Sequence, residues 1–329
     1  MKKLIYFQFA ALSLLLIPMF FITDAYAQCN AVGNPQGGLD AVCTGVDNVG
    51  FDGTNNQDMV TIEVGAQVSP PAGPAVDFLQ GNDIFIMNGG TATGTGNIID
   101  GDQGNDTFTI NGGVITGTFA INGASGDDVV TINNGTINGE INLSADNDTL
   151  TMFAGSITTD RDAINCGGGN DTIMILGGTV NGGTDGNGDG INGSTGVDKI
   201  SVSNATVTGF DAIEAGPDND EITLGTGAVI NGIIGCGSGF DTLIFAMDIP
   251  EVELASLSTL LLSLDPLGDS VTINNLFYEW ENCDVIVNNL IGVPVIQPIP
   301  TLSEWGLIAM AGALGIFGMI YMMRLRKAT

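Results

Sequence analysis

Aspartate is the residue type whose spacing first suggests chemistry. Gly81-Asn82-Asp83, Gly104-Asn105-Asp106, Gly126-Asp127-Asp128, Asp146-Asn147-Asp148 and Gly169-Asn170-Asp171 repeat one phrase. Gly196-Val197-Asp198, Asp218-Asn219-Asp220 and Gly239-Phe240-Asp241 continue it, and Asp58 heads a weaker copy. Successive aspartates stand 25, 23, 22, 20, 23, 27, 22 and 21 residues apart. Stacked in a file, such carboxylates repel unless protonated or bridged, and calcium, which takes about six to eight oxygens, is a suitable bridge. The other reading makes Asn-Asp a turn element, each side chain bonded to its own backbone. The sequence leaves both open. A second acidic phrase, Asp185-Gly186-Asn187-Gly188-Asp189-Gly190, alternates oxygen ligands with glycine as in the first half of a calcium loop. Asp185, Asn187 and Asp189 are its candidate ligands, although Gly196 stands where the bidentate acid belongs.

The elements that position these residues follow from the apolar pattern. After Asp106 come Phe108, Ile110, Ile115, Phe119 and Ile121; after Asp128 come Val130, Ile132, Ile137, Ile141 and Leu143. The offsets are two, four, nine, thirteen and fifteen in both units. Spacing by two marks strands with one buried face. Glycine follows the aspartate by seven residues in seven of the eight units from Asp58 to Asp220, Ala205 being the exception. Three short strands and three turns per unit predict an all-β fold, a single-stranded parallel β-solenoid of about 8–9 coils over residues 58–249. Its ends need caps. Residues 28–57 are the expected N-terminal cap. Residues 250–287 are the expected C-terminal cap, with a helix from Glu251 to Leu264 and strands at Val271–Ile273 and Cys283–Val287.

Composition narrows the function. The chain has 329 residues, 37 acids against 7 bases, 49 glycines and no histidine. Residues 28–306 hold 36 of the acids and only Arg161 and Lys199 as bases, 34 net negative charges. Nucleic acid is excluded as a partner, because phosphate neutralisation needs clustered Lys and Arg. A β-helix lyase lacks its base here, and residues 58–249 contain no Trp or Tyr to platform a sugar. Two carboxylates suffice for glycoside hydrolysis, but a ladder of acids supplies that spacing by accident. The body therefore reads as non-catalytic, with surface structure, adhesion or biofilm matrix as its uses. The alternatives are a carbohydrate-binding module and, behind it, a polysaccharide-degrading enzyme. An ice- or mineral-binding face would need an outward Thr ladder; Thr107, Thr131, Thr149, Thr151 and Thr172 begin one that Ile84, Val129 and Lys199 interrupt.

In an oxidising compartment five cysteines would form two disulfides and leave one free thiol. Cys166 and Cys236 each precede a repeat aspartate by five residues, three coils apart, too far to bridge. The expected pairs are Cys29–Cys43 and Cys236–Cys283.

Both termini read as addresses. Lys2 and Lys3, the apolar run Leu4–Ile22 and Ala25-Tyr26-Ala27 form a secretory signal over residues 1–27, implying export through Sec. After a Pro- and Val-rich linker, residues 288–298, comes Ile299-Pro300-Thr301-Leu302-Ser303-Glu304-Trp305-Gly306. An apolar span from 307 to 323 and the basic tail Arg324, Arg326 and Lys327 complete it. Residues 299–329 closely resemble the IPTL-CTERM protein-sorting domain of Gram-negative bacteria, an IPTLxxWG motif with one transmembrane helix and a basic tail. The resemblance implies an exosortase partner in the inner membrane, an inner-membrane-anchored precursor, and delivery to the cell surface. The repeats in turn resemble the RTX calcium-binding nonapeptide at Gly101–Phe108 and Gly193–Ile200. They depart from it in carrying one such turn per 23 residues or so rather than one per nine.

Overall fold

The computed structural model describes residues 29–183, 188–247, 269–273 and 276–287. The signal, the 251–264 helix, the linker and the sorting segment lie outside them. Among the described residues the protein is all-β: parallel strands stack coil upon coil into a β-solenoid.

Each coil contributes three strands. The first begins just after the repeat aspartate, as in Thr107–Ile110, Val129–Ile132, Thr149–Met152 and Thr172–Ile175, and these pair in parallel without slippage. Their second and fourth residues, Phe108 and Ile110 or Val130 and Ile132, point inward and are fully buried. The first strands run from Leu39–Cys43 to Thr242–Ala246, nine complete turns, and Asp284–Val287 adds a closing rung. Second and third strands form the other sheet and merge in Val114–Asn122 and Thr136–Asn142, with register shifts between the two halves. The seven expected corner glycines all take positive φ, from 75° at Gly227 to 135° at Gly135. Where Ala205 replaces the glycine, Asn204 takes the left-handed conformation instead.

Three expectations change. The parallel stack begins at Leu39, so the N-terminal cap narrows from residues 28–57 to the antiparallel strand Asn30–Gly33. The first rung lacks the aspartate phrase because no coil precedes it for a carboxylate to bind. At the other end, Leu276–Glu281 and Asp284–Val287 continue the parallel ladders, so much of the expected C-terminal cap is a further coil. Thirdly, the third strand is set by the following aspartate and not by its own. Ile121, Ile141, Ile164, Ile191, Ile213 and Ile234 each stand seven residues before the next aspartate. Ile121 therefore pairs with Ile141, and Phe119 falls opposite Glu140. Phe119 faces outward, where the Arg161 guanidinium lies 4.8 Å from its ring centroid. Length differences between coils fall mostly on the loop between second and third strands; the coils of Asp58 and Asp220 also carry one extra residue before their second strand, where Gln67 pairs with Thr91 and Val229 with Thr206.

Disulfides join Cys29 to Cys43 and Cys236 to Cys283, one at each end, while Cys166 is a buried free thiol. Tyr278 and Trp280 close the C-terminal end of the core, edge-on to Phe245 at 5.5 and 5.7 Å. The Tyr278 hydroxyl donates to the Ala228 carbonyl at 2.8 Å.

Candidate functional site: the aspartate corner

The repeat aspartates form one continuous file. Each turns inward at the corner that opens its coil, and each is at most 3 % exposed. The Oδ1 of Asp106 accepts the main-chain N–H of Asp83 at 2.7 Å, and the Oδ1 of Asp128 accepts that of Asp106 at 2.8 Å. The same bond recurs from Asp128 to Asp148, Asp148 to Asp171, Asp171 to Asp198, Asp198 to Asp220 and Asp220 to Asp241, at 2.7–2.9 Å. Asp58 donates to Asp83 in the same way, and Leu39 donates to Asp58 at the head of the file. The side chains thus bond the preceding coil. This corrects the turn reading, in which each bonded its own backbone. A sheet ladder leaves the corner N–H without a carbonyl partner, and a carboxylate one coil away supplies it.

A second file runs the other way on the solvent side. The N–H of Asn105 donates to the Oδ1 of Asn82 at 3.0 Å, and that of Asp127 to Asn105 at 3.2 Å. Asn147, Asn170 and Val197 continue it. Consecutive coils are therefore clamped by side chains reaching both backward and forward. The Asn of the Gly-Asn-Asp phrase was the available signal for this second file, since it recurs with the aspartate. Glycine two residues before the aspartate completes the corner: φ is +139° at Gly104, and a Cβ there would overlap the Gly81 carbonyl oxygen.

Burial raises the carboxyls of the file. Desolvation pushes Asp106 and Asp148 up to about 8, Asp83, Asp128 and Asp198 to about 7, and Asp171 and Asp220 to about 6. The bond from the neighbouring N–H opposes the rise in each case. From Asp83 to Asp220 the second oxygen, Oδ2, is buried without a hydrogen-bond partner.

One oxygen of each carboxylate is engaged by a main-chain N–H, and among the described residues no group of three or more acids or cysteines is placed to hold a metal. A calcium shell of about six to eight oxygens is not assembled. Asp185 and Asn187 of the second acidic phrase lie outside the described residues. Asp189 lies apart from the file: its Oδ1 accepts the N–H of Asp211 at 3.3 Å, and its own N–H donates to Asp162 at 2.8 Å.

The outward acids collect on the third-strand side. Asp52, Asp77 and Asp100 are stacked neighbours there, with Asp102 beside them. Burial, then Asp102, Asp100 and Asp52, raise Asp77 to about 6. Farther along, burial followed by Asp211, Asp189 and Glu281 raises Glu214 to about 7. Arg161, half exposed, pairs with the buried Glu140 at 2.7 Å. Sequence reading missed this clustering, because the acids lie at unequal distances along the chain and meet only through the register of the third strand.

The chain matches the IPTL-CTERM motif over residues 297–327. That motif implies an exosortase-sorted surface protein, a secreted and membrane-anchored precursor processed at the membrane of a bacterium. The matched segment covers the sorting residues Ile299, Pro300, Thr301, Leu302, Trp305, Gly306, Arg324, Arg326 and Lys327. No curated protein and no solved structure matches the chain.

Proposed function

We propose that this IPTL-CTERM chain is a non-catalytic structural or adhesive rod of the outer surface, exported through Sec and held outside a Gram-negative cell. The observation that carries the proposal is the commitment of the repeat aspartates to the fold. Each accepts a main-chain N–H from the neighbouring coil, so the recurrent carboxylates serve stacking and are withdrawn from solvent. The sorting motif supports the address, and the acidic third-strand side supports a soluble, self-repelling exterior.

The test is deletion and replacement in the parent cell. Loss of the chain is expected to weaken attachment or matrix cohesion. A chain with Asp77→Asn, Asp100→Asn, Asp189→Asn and Glu214→Gln restores it, because those acids perform no reaction. Failure of this variant, folded and surface-exposed, to restore cohesion would point to the acids as a binding or catalytic site. Replacing Pro300 and Trp305 with alanine is expected to trap the precursor in the membrane fraction; delivery to the surface regardless would sever the link to the exosortase.

A further inference from the structure

The outward face of the first-strand sheet is uncharged over most of its length. In the six strands from Met59–Ile62 to Thr172–Ile175, every outward position carries Thr, Ile, Val or Met. This occurs in a chain of net charge −30. Asp40 bounds the stretch at one end and Lys199 at the other, both in the same outward row. The row runs Asp40, Met59, Ile84, Thr107, Val129, Thr149, Thr172, Lys199. Lys199 is exposed and has no ion pair among the described residues. Val32 and Val42, 65 % and 42 % exposed, extend the apolar surface beside Asp40.

We propose that two copies of this chain pack side by side through this face, with their coils running in opposite directions. A two-fold axis lying along the strands, between Thr107–Ile110 and Val129–Ile132, turns the first of these eight strands onto the eighth. Asp40 of each copy then meets the partner's Lys199, twice per dimer, and the uncharged rungs meet between them. Thr107 falls opposite the partner's Val129, and Ile84 opposite the partner's Thr149. The isologous arrangement needs one self-complementary patch, and this face is one: its acid and its base are equidistant from its centre. Packing with the coils in the same direction sets Lys199 on the partner's Lys199 and Asp40 on the partner's Asp40, which repels. Glu221, the next residue of the row beyond Lys199, falls opposite the partner's Val32 at the rim and keeps its water.

The area agrees. Eight strands about 4.8 Å apart and about 13 Å long present roughly 500 Å² per copy, so the pair buries about 1,000 Å², the low end for a specific interface. The dimer is accordingly weak, and it forms where the chain is crowded on a surface.

The full chain in mild detergent, followed by sedimentation across a concentration series, tests this. Lys199→Glu and Asp40→Lys are each expected to weaken the dimer at least about tenfold at moderate salt. The double exchange Asp40→Lys with Lys199→Glu is expected to return the affinity to within about threefold of the parent. Thr151→Arg, which places a charge inside the uncharged face, abolishes the dimer with the circular dichroism unchanged. A chain that is monomeric at every concentration overturns the proposal. So does a dimer indifferent to Lys199→Glu, or a double exchange that fails to restore association.

Discussion

Replacing Asp128 with asparagine separates the two properties of the file, its hydrogen bond and its charge. The introduced amide keeps an oxygen for the N–H of Asp106, which the aspartate accepts at 2.8 Å. It also places an N–H₂ where Oδ2 is buried without a partner, a cost of roughly 1–3 kcal/mol at any pH. Ionisation is where the two chains part. Burial raises Asp128 from 3.8 to about 7. An acid raised on folding contributes most below its unfolded pKa and loses that contribution as pH climbs to the folded value. Between pH 4 and pH 8 the wild-type side chain therefore forfeits about 4 kcal/mol, at about 1.4 kcal/mol per unit. The amide, which does not ionise, forfeits none. The variant is expected to be up to about 2 kcal/mol less stable than wild type at pH 4 and about 2–3 kcal/mol more stable at pH 8. The two curves cross near pH 5. Denaturant midpoints of the full chain in detergent, taken at half-unit steps from pH 4 to pH 8.5, measure this. An offset between the two that stays constant across the range would refute the claim that a buried, ionising carboxylate sits at this corner.

Further outcomes follow from the same geometry. Gly104→Ala puts a Cβ against the Gly81 carbonyl oxygen at a φ of +139°, and is expected to cost more than about 3 kcal/mol or to prevent folding. Gly96→Ala, also at positive φ but with nothing within 4 Å, is expected to cost about 1 kcal/mol, and thermal melts of the pair distinguish overlap from strain. Arg161→Ala leaves Glu140, 2 % exposed, without its counter-charge; a loss of about 2–4 kcal/mol at pH 8 is expected, shrinking on acidification as Glu140 takes a proton. A loss equal at pH 4 and pH 8 would assign Arg161 to packing on Phe119 alone.

Much of this was legible because a solenoid writes its period into the chain. The aspartate phrase, the glycine seven residues on and the paired inward positions Phe108 and Ile110 all recur, so fold and coil count follow from spacing. Direction did not follow. Nothing in Gly-Asn-Asp says whether a carboxylate bonds its own turn or the coil before it, since that depends on a neighbour some 23 residues away. Phe119 shows the second limit. Counted forward from Asp106 it belongs to the core, but the third strand is positioned from Asp128, and the intervening loop absorbs the difference. Leu39 shows a third: the first rung has no preceding N–H to receive, so leucine stands where later rungs carry the aspartate, although Gly37 two residues before it and the inward Ala41 and Cys43 keep the pattern.

The clamp at the corner also bears on how such a chain can change in length. Every coil from Asp58 to Asp220 presents the same acceptor to its predecessor and the same donor to its successor, and the third strand is measured from the corner that follows it. A coil is thus an interchangeable segment with matching ends. Copying residues 107–128 once more would insert a rung whose ladder and corner hydrogen bonds are all of kinds already present, lengthening the rod by about 4.8 Å. Reach from the cell surface becomes a quantity that gene duplication can adjust in equal steps, with neither cap nor sorting signal redesigned.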